Sequence, residues 1–311
     1  MLVYFLELPA LELYTFQFKA MGSPCELRLY DTDKQSAQYV ADAAMAEVYR
    51  LEKKYSRYRE DSVTSEINNS AGNKAGIEVD AETALLLNYA QVGYEQSDGL
   101  FDISSGILRK VWDFRSMQLP SQADIDALLP MIGWNKLSWQ PPYLNLPVKG
   151  MELDFGGYVK EYAADVAANV CRNADIKGGL VNLGGDICII GPHPNGDAWR
   201  VGVRHPRNPN VPMSFVTLAK GGIASSGDYE RFMIVGGVRY AHILNPQTGW
   251  PVNSLASASV YAEQCVVAGT SSTIAMLKGE QLGSAWLEEL GLPYICMNQN
   301  EEIFGTLKAA K

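Results

Sequence analysis

The chain is short of the residues that mark several common protein classes. Only 3 of its 311 residues are histidine and 5 are cysteine. Cys25, Cys171, Cys188, Cys265 and Cys296 form no C-x-x-C pair, which argues against a zinc ribbon. Their odd count and wide spacing predict reduced, mostly buried thiols. Cations are outnumbered: 26 Lys and Arg stand against 35 Asp and Glu, a net charge of -9. General nucleic-acid binding needs clustered cations to neutralise phosphate, so this balance argues against it. No uninterrupted apolar run reaches the length of a membrane span. The opening Met1–Tyr14 stretch is apolar but carries Glu7 and Glu12, without a basic region, a small-residue cleavage site or a lipid-acceptor cysteine. The expectation is a cytoplasmic protein, or a periplasmic one if the N-terminus is processed.

Catalytic signatures are missing as well. No G-x-G-x-x-G follows a strand into a helix and no Walker A sequence occurs, so Rossmann and P-loop sites are disfavoured. Ser225-Ser226-Gly227-Asp228-Tyr229 lacks the G-x-S-x-G elbow of a serine hydrolase.

What is present is an ordinary globular balance, 47% hydrophobic and 20% charged, in a chain long enough for a sizeable core. Tyr14, Phe16 and Phe18 alternate with polar residues, as do Cys25, Leu27 and Leu29, so a hairpin is expected around Met21-Gly22-Ser23-Pro24. Ala37, Val40, Ala41, Ala44, Val48, Leu51 and Tyr55 fall at helical spacing over Lys34–Tyr55. A polar stretch follows over Ser56–Gly76, with Asn68-Asn69 and Gly72. Further helices are expected over Ala81–Glu95, from a Ser121 cap to Leu129, and over Tyr158–Arg172, Val266–Leu277 and Gly283–Leu290. Strands are expected at Leu180–Leu183, Ile187–Ile190, Trp199–Val203, Phe215–Leu218, Phe232–Val235, Arg239–Leu244, Ala256–Tyr261, Tyr294–Met297 and Glu302–Leu307. The order is not a regular β-α alternation. It predicts an α+β fold, a largely antiparallel sheet with helices packed to one side, in one domain over 1–311 with a candidate subdomain boundary near Gly150.

Several constellations carry chemistry. Gly156-Gly157, Gly178-Gly179, Gly184-Gly185 and Gly221-Gly222 serve either as tight turns or as places where backbone amides approach a phosphate. In Leu153-Asp154-Phe155-Gly156-Gly157-Tyr158-Val159-Lys160 an acid precedes a Gly-Gly turn, and Lys160 falls in the first turn of a helix. A lysine there opposes the helix dipole unless an anion is bound, so it is either a solvated charge or a phosphate ligand. His242, at the end of an expected strand, is either a proton acceptor for a hydroxyl nucleophile or a histidine bonded to loop backbone. His193 and His205 lie in proline-containing loops and receive no role. Phe101-Asp102, after Ser97-Asp98-Gly99-Leu100, reads as a turn with one buried aromatic or as a holder for a ring system.

Taken together, these segments resemble the FAD:protein FMN transferase (ApbE) family. The resemblance runs from about Phe18 to Leu277 through Ala20-Met21-Gly22-Ser23, Tyr55-Ser56-Arg57-Tyr58-Arg59 with Asp61-Ser62, Ser97 to Asp102, Leu153 to Gly157 with Lys160, and Val181 to Asp186. It continues through Ser225 to Tyr229, His242 to Gly249, and Thr273. It implies an ApbE-like, T-fold-related architecture and Mg²⁺-dependent cleavage of FAD. FMN would pass as a phosphoester to a Ser or Thr of an acceptor flavoprotein, and AMP would leave. By position it implies FAD contacts at Met21, Tyr58, Leu100, Phe101, Asp102, Asp154, Lys160 and Leu244. It places the metal at the backbone of Gly157 and the hydroxyl of Thr273, with Lys160 and His242 as catalytic groups. Three positions depart from the pattern: Gly269 stands where a metal-binding Asp is usual, and Asn245 replaces another common Asp. Glu161 follows Lys160 where glycine is common, as a surface charge or as a substitute ligand. These departures leave two alternatives to transfer, an FAD pyrophosphatase and a non-catalytic FAD-binding protein.

Overall fold

A computed structural model describes residues 10–308 of the chain. Most of the Met1–Tyr14 stretch therefore lies outside the described residues. The first half contains β1 (Glu12–Ala20), β2 (Ser23–Asp31), α1 (Lys34–Tyr55), α2 (Val63–Asn69), β3 (Ile77–Glu78), α3 (Ala81–Gln96), α4 (Gln122–Leu128), β4 (Ser138–Gln140) and β5 (Tyr143–Asn145). The second half contains α5 (Val159–Asn173), β6 (Gly179–Leu183), β7 (Asp186–Gly191), β8 (Trp199–Arg204), β9 (Pro212–Leu218), β10 (Gly222–Gly227), β11 (Phe232–Val235), β12 (Val238–Ala241), β13 (Leu255–Ala262), α6 (Cys265–Lys278), α7 (Glu280–Glu289), β14 (Tyr294–Asn298) and β15 (Ile303–Gly305).

Eight strands form the main sheet in the order β1-β2-β6-β7-β10-β13-β14-β15, with every neighbouring pair antiparallel. The alternation of side chains divides the sheet between two cores. Val181, Leu183, Cys188, Ile190 and Ala224 pack with the helices, together with the buried stripe of α1 from Ala37 to Tyr55 and the small residues Ala163, Ala164, Ala167 and Ala168 of α5. Leu180, Ile189 and Ile223 point the other way, against Trp199, Val201, Val203 and Val216 of the β8–β9 ribbon. The α+β expectation holds. One face is covered by helices and the other by a twisted two-stranded flap. All five cysteines are buried and free, and no helix among the described residues is long and apolar enough to cross a membrane.

Local chemistry sets the element ends. Met21 and Gly22 take positive φ of 51° and 72°, the geometry of the two-residue turn that matches strand twist. Asp33 caps α1, its carboxylate accepting from the Gln35 and Ser36 amides at 2.8 and 3.0 Å. Ser121 caps α4 as expected.

Three elements are not evident from the sequence and one reading needs correction. The polar stretch after Tyr55 contains α2, whose cap is Ser62 accepting from the Ser65 amide at 3.0 Å. With only Thr64 and Ile67 buried, α2 shows too little apolar periodicity to be recognised. Residues Ile103–Lys110 form a 3-10 helix capped by Asp102. Gly222–Gly227 is a central strand, although its glycines and serines carry no strand pattern; pairing with β7 and β13 imposes it. The strand expected over Arg239–Leu244 stops at Ala241, because Asn245 turns the chain by accepting from the Gln247 and Thr248 amides at 2.8 and 3.3 Å.

Candidate active site

The Gly-Gly turn before α5 is shaped by Asp154. Its carboxylate accepts from the Gly156 amide at 2.9 Å and holds the Phe155–Gly157 turn, while Gly156 and Gly157 stay exposed. The same carboxylate forms an ion pair with Arg57. Arg57 in turn donates to the Tyr58 hydroxyl at 2.9 Å and stacks its guanidinium 5.0 Å from the ring centroid. Tyr58 is 77% exposed, so a charged tether holds an open aromatic platform beside the turn. Sequence reading passed over Arg57, although it lies inside the Tyr55–Arg59 motif. The signal was a cation next to the exposed tyrosine. Phe101, buried, reaches the turn from the other side: its ring is 3.9 Å from where a Cβ on Gly157 would lie.

Lys160 projects from the first turn of α5. It forms an ion pair with Asp186 and donates to the Leu183 carbonyl at 3.4 Å. Burial alone would lower its pKa, but Asp186 and Glu161 outweigh it, so the ammonium stays charged. Asp186, buried at the start of β7, also accepts from the Ser225 amide at 3.3 Å, which fixes it to β10. It too was not singled out from sequence.

α6 faces this turn. Thr273, half-buried, shares a hydrogen bond of 2.8 Å with Ser226 Oγ, which also bonds Ser272 Oγ at 2.8 Å. Glu161 fills the gap between the helices. A Cβ on Gly269 would lie 2.5 Å from its Cγ. The Asp154–Lys160 turn and the Thr273 helix are thus in contact. Glu161 is no surface charge: it is 9% exposed, and burial, then Asp186, push its pKa up.

The remaining expected residues are distributed around this centre. Met21 sits on the β1–β2 turn, its amide donating to Glu52 Oε1 at 2.6 Å. Leu100 is half-buried beside Phe101. The Asp102 carboxylate is occupied by protein donors, the Ser104 amide and hydroxyl at 2.8 and 2.6 Å and the Trp134 amide at 2.8 Å, so its visible work is to hold the Phe101 loop. Leu244 packs on the cluster of Ile107, Trp112 and Met233. His242 bonds the Arg231 carbonyl through its backbone amide at 2.9 Å, while its Nδ1 is buried without a partner. Burial, reinforced by the charge of Arg231, pulls its pKa down to about 4. Its imidazole is therefore neutral and able to accept a proton. The other histidines do structural work: His193 stacks on Trp199 at 4.0 Å and bonds the Tyr30 hydroxyl at 2.9 Å, and His205 accepts from the Arg207 and Asn208 amides at 3.1 Å each. A hollow of about 420 Å³ beside His193, lined also by Asp197 and Arg200, lies outside this constellation.

Among the described residues no three His, Cys, Asp or Glu converge as a metal cage. Mg²⁺ does not require one, since it keeps waters and takes substrate phosphates with one or two protein carboxylates. The donors here fit that pattern: a buried carboxylate oxygen of Glu161 with no partner, and the Thr273 hydroxyl, all hard oxygen.

Fold and site together define an α+β protein in which a fixed cation and an exposed ring flank a Gly-Gly turn, and the helix after that turn packs on one bearing a cluster of hydroxyls. The sequence pattern of the ApbE family matches residues 21–296, and the chain belongs to that family. It is 28% identical to an FAD:protein FMN transferase of Klebsiella pneumoniae (strain 342), over 89% of this chain and 86% of that protein. It is 30% identical to an FAD:protein FMN transferase of Treponema pallidum (strain Nichols), over 86% of this chain and 80% of that one. The crystal structure of the ApbE protein from Thermotoga maritima superposes with a TM-score of 0.87 at 29% identity, covering 95% of this chain and 97% of that structure.

Proposed function

We propose that this protein is an FAD:protein FMN transferase that moves the FMN half of FAD to a Ser or Thr hydroxyl of an acceptor protein and releases AMP. The observation that carries the reading is the meeting of the Lys160 turn with the Thr273 face of α6, in a chain whose relatives across most of its length bear that name.

The side chains divide the work. Tyr58 offers a ring face for stacking, worth roughly 0.5–1.5 kcal/mol beyond buried area. Phe101, Leu100, Met21 and Leu244 supply apolar contact, and Asp154 and Asp102 hold the turns that carry it. Lys160, held charged by Asp186, neutralises the pyrophosphate as its bond breaks. His242 accepts the proton of the acceptor hydroxyl. The hydroxyl oxygen bonds to the FMN phosphorus, and the bond from that phosphorus to the bridging oxygen breaks, leaving AMP. The Thr273 hydroxyl and the Gly157 backbone would hold Mg²⁺, which would supply charge neutralisation on the leaving phosphate. Arg231 and burial make His242 a weak base by itself. A phosphate bound beside it would favour the imidazolium and move its pKa toward the working range.

The test is mass spectrometry of a candidate acceptor incubated with this chain, FAD and Mg²⁺. A gain of one FMN on a Ser or Thr, lost with Lys160→Ala or His242→Ala, is expected. AMP release with no acceptor gain over a panel of flavoproteins would replace transfer by hydrolysis.

A further inference from the structure

We infer that Glu161 is the anionic metal ligand of this site, so that the negative charge is carried by α5 and not by α6. The inference rests on the FAD reading above and assigns one residue of its metal site.

Glu161 follows Lys160 in the first turn of α5 and is 9% exposed. A carboxylate that deep is ordinarily paired or fully hydrogen-bonded, because water has been removed from it. Glu161 Oε2 has no hydrogen-bond partner. The adjacent cation, Lys160, is taken by Asp186. What remains is an acceptor of the kind that a bound cation satisfies.

Its direction is fixed by what it meets. A Cβ built on Gly269 would fall 2.5 Å from Glu161 Cγ, 2.8 Å from Cδ and 2.9 Å from Oε1. The carboxylate thus lies over α6 at position 269, and Thr273 follows four residues later on the same helix face. The Thr273 hydroxyl is steadied by Ser226 at 2.8 Å, and Ser272 Oγ donates to the Gly269 carbonyl at 2.8 Å. Carboxylate and hydroxyl therefore lie one helical turn apart along the same face of α6, a hard-oxygen set suited to a small divalent ion completed by phosphate and water. The same geometry accounts for the glycine. A side chain at 269 and the carboxylate of Glu161 claim one volume, so a residue bearing charge at either position requires the other to be small.

Mn²⁺, read by electron paramagnetic resonance, tests this in the full chain with FAD present. Glu161→Gln keeps the shape and removes the charge, and it should weaken Mn²⁺ by about tenfold or more while flavin fluorescence still reports FAD uptake. Glu161→Gly combined with Gly269→Asp moves the charge to α6 and should bring Mn²⁺ affinity back to within a few-fold of the parent chain. Unchanged Mn²⁺ affinity in Glu161→Gln would overturn the assignment, as would a parent chain that takes FAD but no Mn²⁺. Should Glu161→Gln not fold, a folded double variant without Mn²⁺ binding overturns it equally. A parent chain that takes up no FAD would defeat the FAD reading itself.

Discussion

Two ion pairs, each a buried aspartate with a half-buried cation, anchor neighbouring parts of the sheet, and they are finished differently. Arg207 and Asp228 form a fork of two bonds, 2.6 and 2.7 Å, and Gln299 donates to the same carboxylate at 3.0 Å. The Asp228 amide is paired as well, to the Ala256 carbonyl at 3.0 Å. Every strong polar group there is closed by protein. Lys160 and Asp186 lie on the other side of β10, and beside them Glu161 Oε2 is left without a partner. His242 Nδ1 is open in the same way. Asp228, Lys160 and Asp186 all come from segments that carry the family resemblance. Membership in a motif therefore does not separate structural from chemical residues; an unpartnered buried atom on a titratable group beside the Gly-Gly turn is the sharper signal, since Arg239, Ser257 and Thr270 also carry unpartnered buried atoms.

That contrast can be broken in order of size. Arg207→Met should cost about 3–5 kcal/mol of stability by stranding the Asp228 charge, with FMN transfer per folded molecule unchanged. Urea unfolding and a transfer assay on the same sample check it, and a loss of turnover would place the closed pair in the site. Lys160→Ala should lower transfer roughly 10²–10³-fold, about 3–4 kcal/mol at the transition state, read as kcat/KM for FAD. A third test uses pH. His242 titrates at about 4 in the folded chain against an ordinary 6.5, so below pH 6.5 the unfolded chain binds a proton that the folded chain refuses. Stability should fall as pH drops from about 6.5 to about 4 and level off beneath. The shift is worth roughly 2–3 kcal/mol after allowance for the partial exposure of the ring. In His242→Gln this part of the decline should vanish, by comparison of urea midpoints at pH 7 and pH 4.5. The smallest effect is Tyr58→Ala, expected to weaken FAD by roughly 0.5–1.5 kcal/mol in a fluorescence titration with little change in melting temperature, because the ring packs on no core.

The sequence was most legible where side-chain periodicity and burial agree. α1, with its seven-residue apolar stripe, was read to its ends, and so was the β1–β2 turn. β10 was hidden because Gly222, Ala224, Ser225 and Ser226 have no strand preference of their own; the two strands flanking it supply the pairing. α2 and the Ile103–Lys110 turn were hidden because short helices are set by caps more than by apolar spacing. In the site, Asp154, Lys160 and Thr273 were legible as motif members. Arg57 and Asp186 were not, since each matters through a partner nearly 100 or 26 positions away, at Asp154 and Lys160. Glu161 stood open between surface charge and ligand until its burial against Gly269 was visible.

The most direct measurement is a crystal structure of the chain with FAD and Mg²⁺. The account predicts the pyrophosphate between Lys160 Nζ and the Thr273 hydroxyl, with the isoalloxazine or adenine ring against Tyr58. Dinucleotide density in the hollow beside His193, with the Lys160–Asp186 pair untouched, would contradict it.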